Sequence, residues 1–142
     1  MKNLGGANAA RISRSRTENK TMPFDWSAGA LAEGLQCYRN GKFFDAHEHW
    51  EGVWLMCKEP EKTFLQALIQ ITAAFHHLQR GNPAGTRSLL RRASRRLERY
   101  PEEFGGVPTE TLRHNIRDWL TALEKENEPL HLPLPAIRST QE

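Results

Sequence analysis

The chain has 142 residues, of which 38% are hydrophobic, enough for one core that needs no disulfide or metal staple. Its two cysteines, Cys37 and Cys57, form neither a C-x-x-C pair nor a zinc-finger spacing, so a disulfide framework and a zinc knuckle are excluded and reduced thiols in a cytoplasmic protein are expected. The formal charge of +3 is uneven: Lys2, Arg11, Arg14, Arg16 and Lys20 stand against Glu18 alone in the first 22 residues, which leaves the remainder nearly neutral. No apolar stretch is long enough to cross a membrane, so no membrane partner is expected.

Residues 1–22 are rich in Gly, Ala, Asn, Ser and Arg with no apolar period, and they read as a disordered basic tail. Their Arg/Ser-rich, acid-poor composition resembles an organelle transit peptide, but helical amphipathicity is missing. Met1 and Met22 are both open as the true start. From 23 to 128 the pattern is that of one helical domain. Asp25 or Ser27 can cap a first helix to about Arg39, with Leu31, Leu35 and Tyr38 on its face and Gly41 as its left-handed stop. A second helix is expected from about Phe43 to Met56, ended by Pro60. The third, about Glu61 to Arg80, carries Phe64, Leu65, Leu68, Ile69, Ile71, Phe75 and Leu78 around most of its circumference, the mark of a central helix. Gly81-Asn82-Pro83 then supplies a terminal glycine, an Asn cap and a proline at the first helical position, so a fourth helix starts there and runs to about Tyr100. Its inner face is Leu89 or Leu90 with Ala93, Leu97 and Tyr100. Thr109 caps a fifth helix that turns Leu112, Ile116, Trp119, Leu120 and Leu123 inward. The end, 129–142, is an extended Pro/Leu tail whose start lies in a groove or frays. With no alternating runs between hairpin turns, the class is all-α: a single-domain bundle of about five helices around a buried central one.

Chemistry-bearing residues concentrate on the second helix. At about 100° per residue, His47 and Glu51 lie about 40° apart, with Trp54 just to the other side of His47 and Phe43, Phe44 and Trp50 around them. This face is expected to look inward, and burying such groups demands partners. Glu48 borders it. His49 is about 200° away, so the two histidines cannot grip one metal. On the third helix Gln66, Gln70, Ala73 and His77 form a polar stripe able to meet the first.

Taken together, Phe44-x-x-His47-Glu48-x-x-Glu51-x-x-Trp54, Leu65-Gln66-x-Leu68-Ile69-Gln70 and His77-Leu78-x-x-Gly81-Asn82-x-x-Gly85 resemble the prokaryotic domain-of-unknown-function family 309 over roughly residues 28–100. The resemblance implies a small all-α bundle and a site at these positions, but no reaction. One departure is that the family's Q-G-L-I-Q reads Gln66-Ala67-Leu68-Ile69-Gln70 here, which removes a glycine able to admit close backbone approach.

The candidate site is therefore His47, Glu48, Glu51, Trp54, Gln70 and His77. Its first reading is a non-catalytic binding or structural module in which these groups satisfy one another, with a small ligand or peptide as the occupant of any groove. An enzyme would use His47, Glu48, Glu51 or His77 as acid or base, but no nucleophile, phosphate loop or oxyanion motif accompanies them. A metal protein would draw on the same groups, although the spacing is neither that of di-iron bundles nor of zincins, and no metal ligand or cofactor is assigned. Asn82 reads as a structural cap, and His76, His114 and His131 as ordinary surface or boundary histidines. A third reading comes from the fourth helix, where Arg87, Arg91, Arg92, Arg95, Arg96 and Arg99 make a guanidinium row able to bind a polyanion or nucleic acid, without a helix-turn-helix pattern. Its rival is a solvated face paired with acids such as Glu102, Glu103 or those of the fifth helix. A homo-oligomer is open.

Overall fold

The computed structural model describes residues 24–125 and 131–138, so the basic tail expected at 1–22 lies outside the described residues. Five helices follow one another: α1 (Gly29–Arg39), α2 (Phe43–Trp54), α3 (Glu61–Gln79), α4 (Pro83–Leu97) and α5 (Thr109–Lys125). Among the described residues there is no strand, only an isolated bridge between Phe104 and Val107. The all-α bundle is as expected from the periodicity.

Two reversals set the order of packing. Gly41 (φ 78°) and Gly81 (φ 75°) stop α1 and α3 in the left-handed region that glycine enters without steric cost. Each turn folds the next helix back on the last, so α2 packs on α1, α3 on α2, α4 on α3 and α5 on α4. The central position of α3 follows from its composition. Phe64, Leu65, Ala67, Leu68, Ile71, Ala74 and Phe75 are all buried, and together they cover most of its circumference. Ala67, at the place of the family's glycine, is itself fully buried in this packing.

The helix ends differ from expectation in four places. Ala28 stands at the N-cap of α1 and offers no side-chain cap; Asp25 instead accepts the Ser27 amide (2.9 Å) and hydroxyl (2.6 Å) in the turn before the helix. Those two bonds also hold the Asp25 carboxyl below the usual carboxylate range. α2 stops at Trp54 and leaves Leu55 and Met56 exposed. α4 stops at Leu97, where the Arg113 guanidinium donates to the carbonyls of Leu97 (2.7 Å) and Tyr100 (3.2 Å) and satisfies the helix end. Thr109 is the first residue of α5, with its hydroxyl donating to the Val107 carbonyl at 3.2 Å.

The extended stretch 131–138 lies in a groove. Pro135 and Ile137 are buried. The Tyr38 hydroxyl on α1 donates to the Pro135 carbonyl (2.8 Å), the Trp119 indole on α5 to the Pro133 carbonyl (2.8 Å), and the Ala136 amide to Asn115 Oδ1 (3.0 Å). The segment thus straps α1 to α5, two helices far apart in the packing order. Burial pushes the Tyr38 hydroxyl well above its ordinary pKa, so it remains a donor across the physiological range.

Candidate functional site

Three contacts fix the register of α2 against α3. Phe43 meets Phe75 (ring centroids 5.7 Å), Phe44 meets His76 (5.7 Å), and the Lys62 ammonium sits 4.1 Å over the Trp54 ring. Residue numbers rise on one helix as they fall on the other, so the two helices are antiparallel. Gln70 comes level with His47, Gln66 with Glu51, and Thr63 with Trp54. His77 lies seven residues beyond Gln70, about 10 Å further along the axis and past the start of α2.

This register divides the six candidate residues. His47, Trp54 and Gln70 meet the seam: His47 Nδ1, Trp54 Nε1 and Gln70 Oε1 are each buried and have no hydrogen-bond partner. The set holds a donor in the indole N–H, an acceptor in the amide oxygen, and a ring nitrogen that serves as either. Lys62 closes one end by donating to the Trp54 carbonyl (3.3 Å) while it covers the indole face. Phe44, 54% exposed, stacks on the His47 ring at 6.3 Å and closes the outer side.

Glu48 and Glu51 point to solvent instead. The boundary of the buried arc falls within the 40° that separate His47 from Glu51, so the inward orientation expected of Glu51 does not occur. Nor does Trp50 belong to the site. It is fully buried toward α1, against Trp26 and Tyr38, with its indole donating to the Leu31 carbonyl at 3.1 Å. His49 faces Glu33 (3.5 Å).

His77 is held at the α3–α4 turn. Asn82 Oδ1 accepts the Gly85 amide at 3.0 Å, which leaves its Nδ2 to donate to His77 Nδ1 at 3.1 Å. The His77 Nδ1 lone pair is therefore the acceptor, and in the neutral ring the proton resides on Nε2. A Cβ at Gly85 would stand 2.6 Å from Asn82 Nδ2 and 3.1 Å from His77 Cγ, so glycine is what lets the three groups close. Asn82→Ala should cost about 1 kcal/mol in thermal unfolding and release this tautomer. The nitrogen shifts of His77 check the second effect, and an unchanged ring spectrum would show that Asn82 does not set it.

Residues 31–89 match the family described as "Domain of unknown function (DUF309)". The resemblance to DUF309 therefore holds across α1, α2, α3 and the first turns of α4. An "Uncharacterized protein" of Aquifex aeolicus (strain VF5) is 27% identical over 134 residues, covering 91% of this chain. The chain spans only 40% of that relative's length.

The seam and the His77 cap both lie inside the DUF309-like segment. They are joined by a residue that sequence reasoning passed over. His76 packs on Phe44 (5.7 Å) and lies 6.4 Å from His77, so the exposed Phe44 ring bridges the seam histidine to the cap. The signal for His76 is its i+7 spacing from Ile69 and the position of Phe44 one residue before Asp45 at the start of α2, but it emerges only once the register is known. Among the described residues no three His, Cys, Asp or Glu side chains cluster closely enough to hold a metal ion.

The arginine row lies mostly beyond this segment and is also divided. Arg87 donates to the Leu123 carbonyl (3.5 Å), and Arg91 pairs with Glu124 (3.7 Å), so both are drawn to the C-terminal end of α5. Arg92, Arg95 and Arg96 have no hydrogen bond or ion pair among the described residues. The pairing with Glu102 or Glu103 is not formed. No helix among the described residues is long and apolar enough to cross a membrane.

Proposed function

We propose that this chain is a non-catalytic binding module whose site is the α2–α3 seam. The observation that carries the reading is the trio of buried polar atoms without partners, His47 Nδ1, Trp54 Nε1 and Gln70 Oε1. Each such atom costs about 1–3 kcal/mol when buried unpaired, and that cost is recovered when a ligand presents the matching acceptor and donor. The indole N–H calls for a ligand acceptor and the Gln70 amide oxygen for a ligand donor, at two places about 10 Å apart along the seam, which suits an extended ligand such as a peptide. Entry is through Phe44, whose exposed ring lies over His47 and can swing outward. An enzyme using Glu48 or Glu51 as a buried acid or base finds no support, because both carboxylates are in solvent.

Gln70→Leu separates a ligand site from a sealed core. In ligand-free protein the variant should be more stable than the parent by about 1 kcal/mol, because an unsatisfied acceptor is replaced by an apolar group of similar size. Protein isolated under native conditions should carry a bound mass that denaturing electrospray removes, and Gln70→Leu should lose it. Destabilisation by Gln70→Leu, with no mass difference in the parent, would overturn the reading.

A further inference from the structure

The α4 arginines left over by α5 stand beside a cleft that the seam does not use. Arg95 and Arg96 follow Arg92 at the helical spacings of three and four residues, so the three side chains share one side of α4 over about one turn. Arg99 continues the row just past the helix end and turns into a cleft of about 500 Å³. Pro60, Tyr100, Pro101 and Phe104 form its apolar wall, and Glu59 and Arg99 are its charged lining. The wall is fixed from behind. The Tyr100 hydroxyl donates to the Pro60 carbonyl (2.7 Å), and the rings of Tyr100 and Phe104 pack on each other (4.9 Å) and on Phe64 (5.0 and 4.8 Å). Glu59 is also fixed, accepting the Thr63 hydroxyl (2.7 Å) and amide (3.0 Å). Those two bonds hold its carboxyl below the usual range, so it stays an anion in the cleft lining.

We propose that this surface binds single-stranded nucleic acid, with the Arg92, Arg95 and Arg96 guanidinium groups on successive phosphates and one base in the cleft between Arg99 and Phe104. The division of charge carries the argument. A guanidinium matches phosphate geometry in a bidentate fork, and a row of them on a rigid helix tracks a backbone without reading sequence. The carboxylate of Glu59 repels phosphate from the cleft but accepts from base N–H groups. An apolar aromatic wall with one charged acceptor suits a base and leaves the phosphates outside, the pattern of a basic track beside a stacking platform. A duplex keeps its bases stacked and offers the cleft nothing. The site is separate from the α2–α3 seam, so its failure leaves the seam reading untouched.

Fluorescence anisotropy of the full chain with labelled RNA and DNA of about 12 nucleotides, and with the matching duplex, tests the assignment. Three to four phosphate contacts predict a loss of about 20- to 50-fold in single-strand affinity between about 50 and 200 mM salt. The triple variant Arg92→Gln, Arg95→Gln, Arg96→Gln should bind at least about 10-fold more weakly and lose most of that salt dependence. Because the first 22 residues are basic too, a second full-length variant, Arg11→Gln, Arg14→Gln, Arg16→Gln, should keep the affinity. Loss in the tail variant with retention in the triple variant would overturn the proposal, as would salt-independent binding or a duplex bound more tightly than either single strand.

Discussion

Gly34→Ala should destabilise the protein by about 2–4 kcal/mol, whereas Gly52→Ala, the same substitution inside the next helix, should stabilise it by about 0.5–1 kcal/mol. Both glycines are helical, and the intrinsic gain from replacing a helical glycine with alanine, about 1 kcal/mol, is common to the two. The surroundings decide the sign. A Cβ on Gly34 would stand 2.2 Å from Trp50 Nε1 and 2.5 Å from Trp50 Cδ1, while a Cβ on Gly52 meets nothing within 4 Å. Trp50 is fully buried, packed by Trp26 and Tyr38, and tied by its indole to the Leu31 carbonyl one turn before Gly34. Moving that rigid ring breaks the bond and leaves two buried polar groups unpaired, which outweighs the propensity gain. Urea denaturation of the two single variants measures both signs. Equal and positive shifts would mean that α1 and α2 do not approach through Gly34.

Where a local code fixes geometry, the sequence was readable. Gly81-Asn82-Pro83 placed the start of α4 because the left-handed glycine, the side-chain cap and the proline each act within one turn. The apolar circumference of α3 likewise announced its central position. What the sequence withheld depends on partners remote in the chain. A helical wheel spreads His47 and Glu51 over about 40° but does not say where the buried arc ends, and that edge is set by the seating of α3 against α2. His77 was expected at the seam because its stripe on α3 points there. The antiparallel register carries it past the start of α2, and the Asn82 cap takes it up. The same register brings in His76, which from α3 alone looks like a surface residue. On α4 the periodicity exposed six arginines as one row, but only the position of α5 shows that Arg87 and Arg91 belong to the Leu123 carbonyl and Glu124. The cleft beside the remaining four was not legible, since it is built by Pro60, Tyr100 and Phe104 from two separate loops.

Phe64→Ala should cost about 3–5 kcal/mol, a large fraction of the 5–15 kcal/mol that holds a domain together. The Phe64 ring is fully buried on α3 and meets Phe24 (6.1 Å), Tyr100 (5.0 Å) and Phe104 (4.8 Å), so its removal leaves a void that three other aromatic rings border. Two of the three cannot fill it without loss. Tyr100 is held at its hydroxyl by the Pro60 carbonyl, and Phe104 is pinned through its own backbone pairing with Val107. Phe44→Ala, which removes the same side chain where it is 54% exposed, should change stability by less than about 0.5 kcal/mol. Guanidinium denaturation distinguishes the two by midpoint, and an unchanged slope for Phe64→Ala would show that the native state keeps its compactness despite the void. The substitution also reaches the proposed nucleic-acid surface, because Tyr100 and Phe104 form the cleft wall and Phe64 supports both from behind. Arg92, Arg95 and Arg96 lie on α4 and rely on the α3–α4 packing. At a temperature where Phe64→Ala remains folded, single-strand binding should therefore weaken with its salt dependence intact, the reverse of the arginine variant. Loss of the salt dependence as well would mean that the cleft and the arginine row are one mechanical unit.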